Sequence, residues 1–249
     1  MKSLKNWLLV LSVLSCFGCS SPVNEDGRGC AFVSDSIQYR VEFMSEGCVR
    51  ILSFPEGDTL VTKRLVVDSE KPAFKDYKWK DTGQQLIFST RELSVVFDKE
   101  DAAFTFQEVS TGKLLLKEKE AKKARHFKRS VAGGEQCLEV TQRFVPTDDE
   151  AIYGLGQYQN GIMNYRGKSV LLLQANMDIV NPFLISTNGY GILWDNYSST
   201  KFEDTKEGYS FTSEVGDASD YYFVYGKNMD EVVAGYRELT GDVPMFGKW

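Results

Sequence analysis

The chain has 249 residues, a formal net charge of −6 at neutral pH and 42% hydrophobic residues, a globular composition that excludes a disordered chain. The acidic balance argues against nucleic acid as a partner, because phosphate binding requires a basic surface. His126 is the single histidine, so the sequence offers no multi-histidine metal site, and we expect neither a metal nor a cofactor.

The N-terminus has the pattern of a bacterial export signal that ends in a lipidated cysteine. Lys2 and Lys5 precede an apolar run over residues 7–14, which is too short to span a bilayer. Cys19 follows small residues and is the expected lipidation site. Cys16 is the alternative, and a plain secretory signal is the other interpretation. We therefore expect an exported protein, anchored by its lipid to a bacterial cell-envelope membrane, in the periplasm or at the cell surface.

Three cysteines follow the signal: Cys30, Cys48 and Cys137. An odd number in an exported protein leaves at least one free thiol, and the spacings match no zinc pattern. A disulfide between Cys30 and Cys48 is one interpretation, and buried thiols are the one that we favour.

The body of the chain has the period-two alternation of half-buried strands. Residues 37–43 alternate apolar and polar side chains, and glycine-containing turns separate them from later segments of the same pattern. These segments are residues 93–97, 104–106, 138–144 and 221–225. Many short strands with glycine turns predict an all-β protein, an antiparallel β-sandwich or a barrel.

One α-helix is predicted near the C-terminus. Asn228 or Asp230 can cap its N-terminus, and apolar residues from Val232 to Leu239 follow at helical spacing. Gly241 is the expected end of the helix.

Gly154 and Gly156 suggest a dinucleotide-binding loop, but the motif needs a third glycine where Gln159 stands, and no βαβ unit surrounds it. We interpret the two glycines as tight backbone turns. A basic run over residues 117–129, which contains His126, is interpreted as a solvated hairpin or loop face, with the histidine exposed rather than catalytic.

Acidic residues cluster over residues 148–150 and 203–204. A glycosidase needs two carboxylates facing each other across one sugar. Neighbouring residues of a strand point to opposite faces, so neither cluster supplies this pair by itself. We expect both clusters to lie in surface loops.

Residues 153–197 hold the densest mixture of amides, carboxylates and aromatic side chains. Amides and carboxylates can hydrogen-bond sugar hydroxyls, while aromatic faces cover apolar C–H patches. The notable runs are Tyr153-Gly-Leu-Gly-Gln157, Gln174-Ala-Asn-Met-Asp178, Asn181-Pro-Phe183 and Gly189-Tyr-Gly-Ile-Leu-Trp-Asp-Asn196.

In order and spacing these runs resemble the N-terminal, galactose-mutarotase-like β-sandwich domain of glycoside hydrolase family 31, which contains α-glucosidases and α-xylosidases. The resemblance extends over residues 37–249. Residues 157–160 and 181–183 are most similar to the α-xylosidases of the family.

The resemblance implies a substrate-contacting loop. The family's Asn-x-Asp matches Asn176 and Asp178, so Asp178 would accept hydrogen bonds from sugar hydroxyls, flanked by Met177 and Ile179. The alternative is that Asp178 caps its own turn. Gln174 and Asn181 would support this loop.

The resemblance also implies a domain organisation. The expected parts are a signal peptide over residues 1–18, a tether over 19–29, the sandwich over 30–226, and a helix and linker over 227–249. In the family a catalytic (β/α)8 barrel with its catalytic aspartates follows, whereas this chain ends at Trp249. We therefore assign no catalytic residue. The surface that would meet the barrel should be apolar and prone to association.

The function expected from these features is that of an accessory domain of an exported, retaining α-glycosidase that acts on α-linked oligosaccharides, with the barrel supplied in cis or in trans. The chain alone is expected to be inactive. The alternatives are a free-standing carbohydrate-binding lipoprotein and a non-functional gene fragment.

Overall fold

The structure, a computed structural model, describes residues 23–58, 65–68, 72–120, 127–243 and 245–248. Cys16, Cys19 and His126 therefore lie outside the described residues. Within them no helix is long and apolar enough to cross a membrane.

Eighteen strands and one helix are formed by the described residues. The first nine strands are β1 (Asn24–Glu25), β2 (Cys30–Ser34), β3 (Ile37–Phe43), β4 (Cys48–Pro55), β5 (Lys78–Asp81), β6 (Gln85–Ser89), β7 (Leu93–Asp98), β8 (Ala103–Glu108) and β9 (Leu114–Glu118). The second nine are β10 (Phe127–Ala132), β11 (Glu135–Val145), β12 (Ile152–Gln157), β13 (Ser169–Leu172), β14 (Ile179–Ser186), β15 (Tyr190–Trp194), β16 (Thr200–Thr205), β17 (Gly208–Gly216) and β18 (Ser219–Tyr225). The helix is α1 (Met229–Thr240).

The strands form two antiparallel sheets, which confirms the predicted β-sandwich. The first sheet has the order β1-β2-β3-β4-β18-β15-β14-β12, and the second has the order β13-β16-β17-β11-β9-β8-β7-β6-β5 with β10 added beside β11. At one end of the sandwich β1 meets β5, where the indole of Trp79 donates to Glu25 over 3.3 Å. At the other end lie the edge strands β12 and β13.

Aromatic side chains fill the space between the sheets. Phe106 of β8 stacks on Phe223 of β18 with ring centroids 4.2 Å apart, and Trp194 of β15 stacks on Phe211 of β17 at 5.5 Å. All four side chains are fully buried. Contacts of this kind bury a large apolar area and fix the offset of one sheet over the other.

Helix α1 packs on the outer face of the first sheet, against β14, β15 and β18. Asn228 caps it by accepting a hydrogen bond from the Glu231 amide, as predicted, and Gly241 ends it with φ +89°. Val232 and Leu239 are buried against the sheet. Both faces of β18 are therefore covered, and its side chains from Tyr221 through Val224 are buried rather than alternating with solvent.

The expectation of surface loops holds for Asp148 and Asp149, which are exposed in a turn, but it is wrong for the last residue of each cluster. Glu150 and Asp204 are buried. The Glu150 carboxylate accepts hydrogen bonds from Tyr190 over 2.8 Å and from Ser186 over 3.0 Å. Asp204 pairs with Arg166 at 2.9 Å. Both oxygens of Glu150 have donors, whereas Asp204 has donors on Oδ2, from Arg166 and the Gly167 amide, and its Oδ1 is buried without a partner. A pattern of charges along the sequence cannot show such contacts.

The three described cysteines are free thiols. Cys30 and Cys48 are buried and Cys137 is half-buried, so the expectation of buried thiols is confirmed for the first two. The glycine turns also form as predicted, with Gly133, Gly134, Gly189 and Gly208 at positive φ.

Glu118 is another buried carboxylate, and its donors come from both sheets. It accepts hydrogen bonds from Tyr221 at 2.7 Å, from Gln142 at 2.8 Å and from the Phe104 amide at 2.8 Å. Burial outweighs these donors and raises the pKa of the Glu118 carboxyl to about 7.

We predict that Glu118 makes the protein less stable as pH rises from 5 to 8. The folded state holds this proton to a higher pH than the unfolded state does, so stability is greatest below the unfolded pKa and declines toward pH 7 and above. The shift corresponds to a loss of about 3 kcal/mol. Urea unfolding at several pH values should show this slope, and Glu118→Gln should reduce it. Burial raises the pKa of Glu150 as well, so an unchanged slope in Glu118→Gln would assign the dependence to Glu150 and contradict the prediction.

Candidate functional site

The residues predicted to contact substrate lie in one loop at the β12/β13 end of the sandwich. This candidate loop, residues 174–181, leaves the edge strand β13 of the second sheet and enters β14 of the first sheet. It therefore bridges the two layers at an open end of the molecule.

The side chain of Gln174 holds the two ends of the candidate loop together. Its Nε2 donates to the Asp178 carbonyl oxygen over 2.9 Å, and its Oε1 accepts from the Val180 amide over 3.1 Å. The side-chain amide thus takes the place of a backbone peptide group that would pair with a neighbouring strand. The two hydrogen bonds limit how far the loop can open.

The tip of the candidate loop is a tight turn in a strained conformation. The Asp178 amide donates to the Ala175 carbonyl oxygen over 3.2 Å, which closes a four-residue turn. Met177, the third residue of that turn, has φ +70° and is 65% exposed. This position normally favours glycine or asparagine, so a methionine there costs free energy and gains no burial within the chain.

The carboxylate of Asp178 is available to a ligand. No side-chain hydrogen bond or ion pair of Asp178 is present among the described residues, so it does not cap its own turn there. The side chain of Ile179 is 56% exposed and stands beside it. Asn176 is exposed as well. The tip thus presents an amide, a carboxylate and two apolar side chains to the outside.

Helix α1 anchors the other end of the candidate loop. Tyr236 of the helix donates to Asn181 Oδ1 over 3.4 Å, and its ring stacks on Phe183 with centroids 4.2 Å apart. Phe183 in turn packs over Gly191, where a Cβ would lie 2.6 Å from the ring. The position where the loop enters β14 is therefore coupled to the helix.

The Gly-Leu-Gly run of β12 fixes the position of β14 beneath the loop. Gly154, Leu155 and Gly156 all have positive φ, at +99°, +66° and +117°. A Cβ on Gly154 would lie 2.5 Å from the Phe183 carbonyl oxygen, and one on Gly156 would collide with the carbonyl oxygen of Ile179. The interpretation of these glycines as tight backbone turns is wrong: both lie within strand β12, at a register shift in its pairing with β14.

A pocket behind the candidate loop was not found from the sequence. This edge pocket has a volume of 330 Å³, and its walls include Leu172, Gln174, Val180, Trp194, Asp195 and Tyr197. Residues 194–196 stood out in the sequence as part of the segment rich in amides, carboxylates and aromatic side chains, and as part of the family resemblance. Nothing in that pattern showed that they line a cavity next to the loop.

Asp195 gives the edge pocket its polarity. Its Oδ1 is buried and has no hydrogen-bond partner. The carboxylate also interacts with the hydroxyl of Tyr197, which accepts a hydrogen bond from the Leu65 amide over 2.9 Å. Burial, together with the Asp195 carboxylate, raises the pKa of Tyr197 to about 12, so the phenol stays protonated at neutral pH.

Within the described residues no group of three or more histidine, cysteine, aspartate or glutamate side chains is arranged to hold a metal ion. The predicted site residues from Gln174 to Asn181 do come together in one loop. Their contact with a substrate stays a prediction.

This architecture defines the class of protein. The family model of the glycosyl hydrolase 31 N-terminal galactose mutarotase-like domain matches residues 38–203. The chain belongs to glycoside hydrolase family 31, as the N-terminal domain of that family.

Curated relatives agree with this assignment. The chain is 34% identical over 229 residues to an α-xylosidase of Saccharolobus solfataricus, covering 86% of this chain and 30% of the relative. It is 28% identical over 238 residues to α-glucosidase 2 of Bacillus thermoamyloliquefaciens, covering 88% of this chain and 28% of the relative. The chain thus spans less than a third of these enzymes.

Solved structures show the same fold. The family 31 α-xylosidase of Xanthomonas citri superimposes with a TM-score of 0.81 at 21% identity, covering 91% of this chain and 41% of that one. A family 31 dextranase of Flavobacterium johnsoniae superimposes with a TM-score of 0.73 at 22% identity, covering 90% and 28% of the two chains.

We predict that Gly156→Ala destabilises the protein by about 2–4 kcal/mol, because the new Cβ combines strain at φ +117° with a backbone collision. Urea unfolding measures the loss. Gly27→Ala is the matched control, since a Cβ there meets nothing within 4 Å. A loss in Gly156→Ala no larger than in the control would contradict the close approach of β12 to β14.

Met177→Gly should stabilise the isolated protein by about 0.5–1 kcal/mol, because glycine adopts positive φ without strain. Asn176→Gly is the control in the same turn. Asn176 is not at positive φ, so this change should lower stability slightly. Thermal unfolding of the three proteins tests the prediction, which is wrong if Met177→Gly unfolds at a lower temperature than the parent.

Proposed function

We propose that this chain is the N-terminal domain of an exported α-glycosidase of the α-xylosidase or α-glucosidase type, and that its candidate loop contacts the sugar bound by a catalytic barrel. Bond cleavage itself is assigned to the barrel, with retention through a covalent glycosyl intermediate. This chain positions the substrate and has no turnover of its own.

The observation that carries the proposal is the geometry of the candidate loop. Its tip is exposed and strained, yet both of its ends are fixed, by Gln174 on one side and by Tyr236 on the other. Backbone strain that persists because the surrounding structure holds the residue in place is typical of a ligand-contacting loop. The names of the curated relatives, an α-xylosidase and an α-glucosidase, indicate the type of substrate.

The side chains at the tip suit a sugar. The Asp178 carboxylate can accept hydrogen bonds from two neighbouring hydroxyls, and the Asn176 amide can both donate and accept. Met177 and Ile179 can cover the apolar C–H face of a pyranose ring. Held next to a barrel mouth, these groups would orient the sugar and exclude water from one side of it.

We further propose that Cys19 carries the lipid anchor, with Cys16 as the alternative, at a cell-envelope membrane. The first described residues belong to the β1/β5 end, whereas the candidate loop is at the β12/β13 end. The first sheet has eight strands, spaced about 4.8 Å apart, so the two ends are on the order of 30 Å apart. An anchored domain could therefore direct the loop away from the membrane.

Asp178→Ala should raise KM for p-nitrophenyl α-xyloside or α-glucoside by about tenfold in an assembly of this chain with a family 31 catalytic barrel. The reason is the loss of one or two charge-assisted hydrogen bonds of about 1.5 kcal/mol each. Steady-state kinetics on both substrates measure the change and identify the preferred sugar.

Asp149→Ala removes an exposed aspartate from a different loop, and it should leave KM unchanged. The chain without a barrel should give no turnover above a buffer blank. Turnover by the isolated chain, or an unchanged KM in Asp178→Ala, would contradict the proposal. Sugar binding by the isolated chain that is lost in Asp178→Ala would favour the free-standing carbohydrate-binding alternative.

A further inference from the structure

The edge pocket combines apolar walls with a single unsatisfied acceptor. Val66, Leu173 and Val180 contribute apolar surface, and Asp195 Oδ1 is buried without a hydrogen-bond partner. A buried carboxylate oxygen with no donor is costly, and the cost is removed when a donor enters. The pocket is therefore suited to one strong donor on an apolar stem.

The other polar side chains of the pocket already have partners. Ser198 donates to the Val215 carbonyl oxygen over 2.7 Å, Ser199 donates to Glu214 over 3.2 Å, and Thr200 shares a hydrogen bond of 2.6 Å with Ser213. Both ends of the Gln174 amide are engaged in the candidate loop. A sugar would bring several hydroxyls to a site with one free acceptor, so most of them would lose their hydrogen bonds to water.

Charge favours a cation at Asp195. The nearby Arg50 already bridges Glu42 at 3.0 Å and Asp220 at 2.7 Å. The backbone of Asp195 adjoins this group, since its amide donates to the Asp220 carbonyl oxygen over 2.9 Å. Among the described residues no lysine or arginine forms an ion pair with Asp195, and its carboxylate adds a further negative charge to this region.

We propose that the edge pocket is the socket for one arginine or lysine side chain of the catalytic portion of the enzyme, with the charged tip on Asp195 Oδ1 and the methylene stem along Leu173 and Val180. The proposal rests on the proposed function. A long cationic side chain supplies both the donor and the apolar stem.

The surroundings of the pocket fit a polypeptide partner. Three exposed apolar side chains lie around it: Leu171 on β13, Leu173 just after β13, and Ile179 at the start of β14. The chain spans 30% of the S. solfataricus α-xylosidase, so most of that enzyme lies outside the match. Because Gln174 and Val180 belong both to the pocket wall and to the candidate loop, a side chain in the socket would fix the loop against the catalytic portion.

The first experiment uses the full chain and three small probes: n-butylguanidinium, its neutral counterpart n-butylurea, and methyl α-D-xylopyranoside. The backbone N–H signals of Leu173 and Tyr197, two exposed residues of the pocket, report binding in a nitrogen–proton correlation spectrum. We expect n-butylguanidinium to bind about tenfold more tightly than n-butylurea, as a charge-assisted hydrogen bond implies.

Asp195→Asn should remove this preference for the cation, and Asp217→Asn, the same change at an exposed aspartate outside the pocket, should retain it. Equal binding of the two butyl probes by the parent chain, or no binding of n-butylguanidinium, would overturn the proposal without any variant. Tighter binding of the xyloside that depends on Asp195 would overturn it in favour of a sugar site.

The second experiment separates this proposal from the proposed function. In the assembly with a barrel, Asp195→Asn should raise the barrel concentration needed for half-maximal activity about tenfold and leave KM unchanged. Asp178→Ala should raise KM and leave the barrel concentration needed for half-maximal activity unchanged. A change in KM alone for Asp195→Asn would overturn the socket and leave the role of the candidate loop intact.

Discussion

The close approach of β12 to β14 is the constraint on which the functional end of this domain depends. Gly154 and Gly156 let the backbone of β12 pass against carbonyl groups of β14 at distances that no side chain permits. The pairing shifts in register between Gly154 and Gly156, so β14 contributes additional residues at this point. This irregularity sets where β14 begins, and hence where the candidate loop ends and where Phe183 meets helix α1.

The interior of the sandwich shows how buried charge is tolerated in a mostly aromatic core. Glu118 accepts a hydrogen bond from Tyr221 of the opposite sheet, and Glu150 accepts one from Tyr190. Asp204 forms an ion pair with a guanidinium group. Such networks tie the layers together in one arrangement, because a shifted sheet would leave the carboxylates without donors. Burial raises the pKa of Glu118 and of Glu150 in spite of these donors, although neither group is accessible to a substrate. A perturbed carboxyl in this fold is therefore a structural feature rather than evidence of catalysis.

Much of the fold was predictable from the sequence because its signals are local. Alternation over residues 37–43, turns at Gly133 and Gly189, and the cap at Asn228 each depend on a few neighbouring residues. The burial of Glu150 and Asp204 was not predictable in this way, because their donors Tyr190 and Arg166 are tens of residues away. The candidate loop was located through the family resemblance. The edge pocket was missed, because it forms where β13, β14 and the segment after β15 meet, and no single stretch of sequence encodes that meeting.

Two features that cost free energy lie at the same end of the molecule. Met177 occupies a conformation suited to glycine, and Asp195 Oδ1 is buried without a donor. Natural sequences are locally consistent except where function demands otherwise, so the coincidence of two such costs around Gln174 has a physical meaning. Under the two proposals both costs would fall when a partner is present: apolar contact would compensate the strained methionine, and a cation would satisfy the carboxylate. The β12/β13 end would then be suited to a bound state, and the rest of the sandwich would supply the rigidity that keeps the two features in place until that state forms.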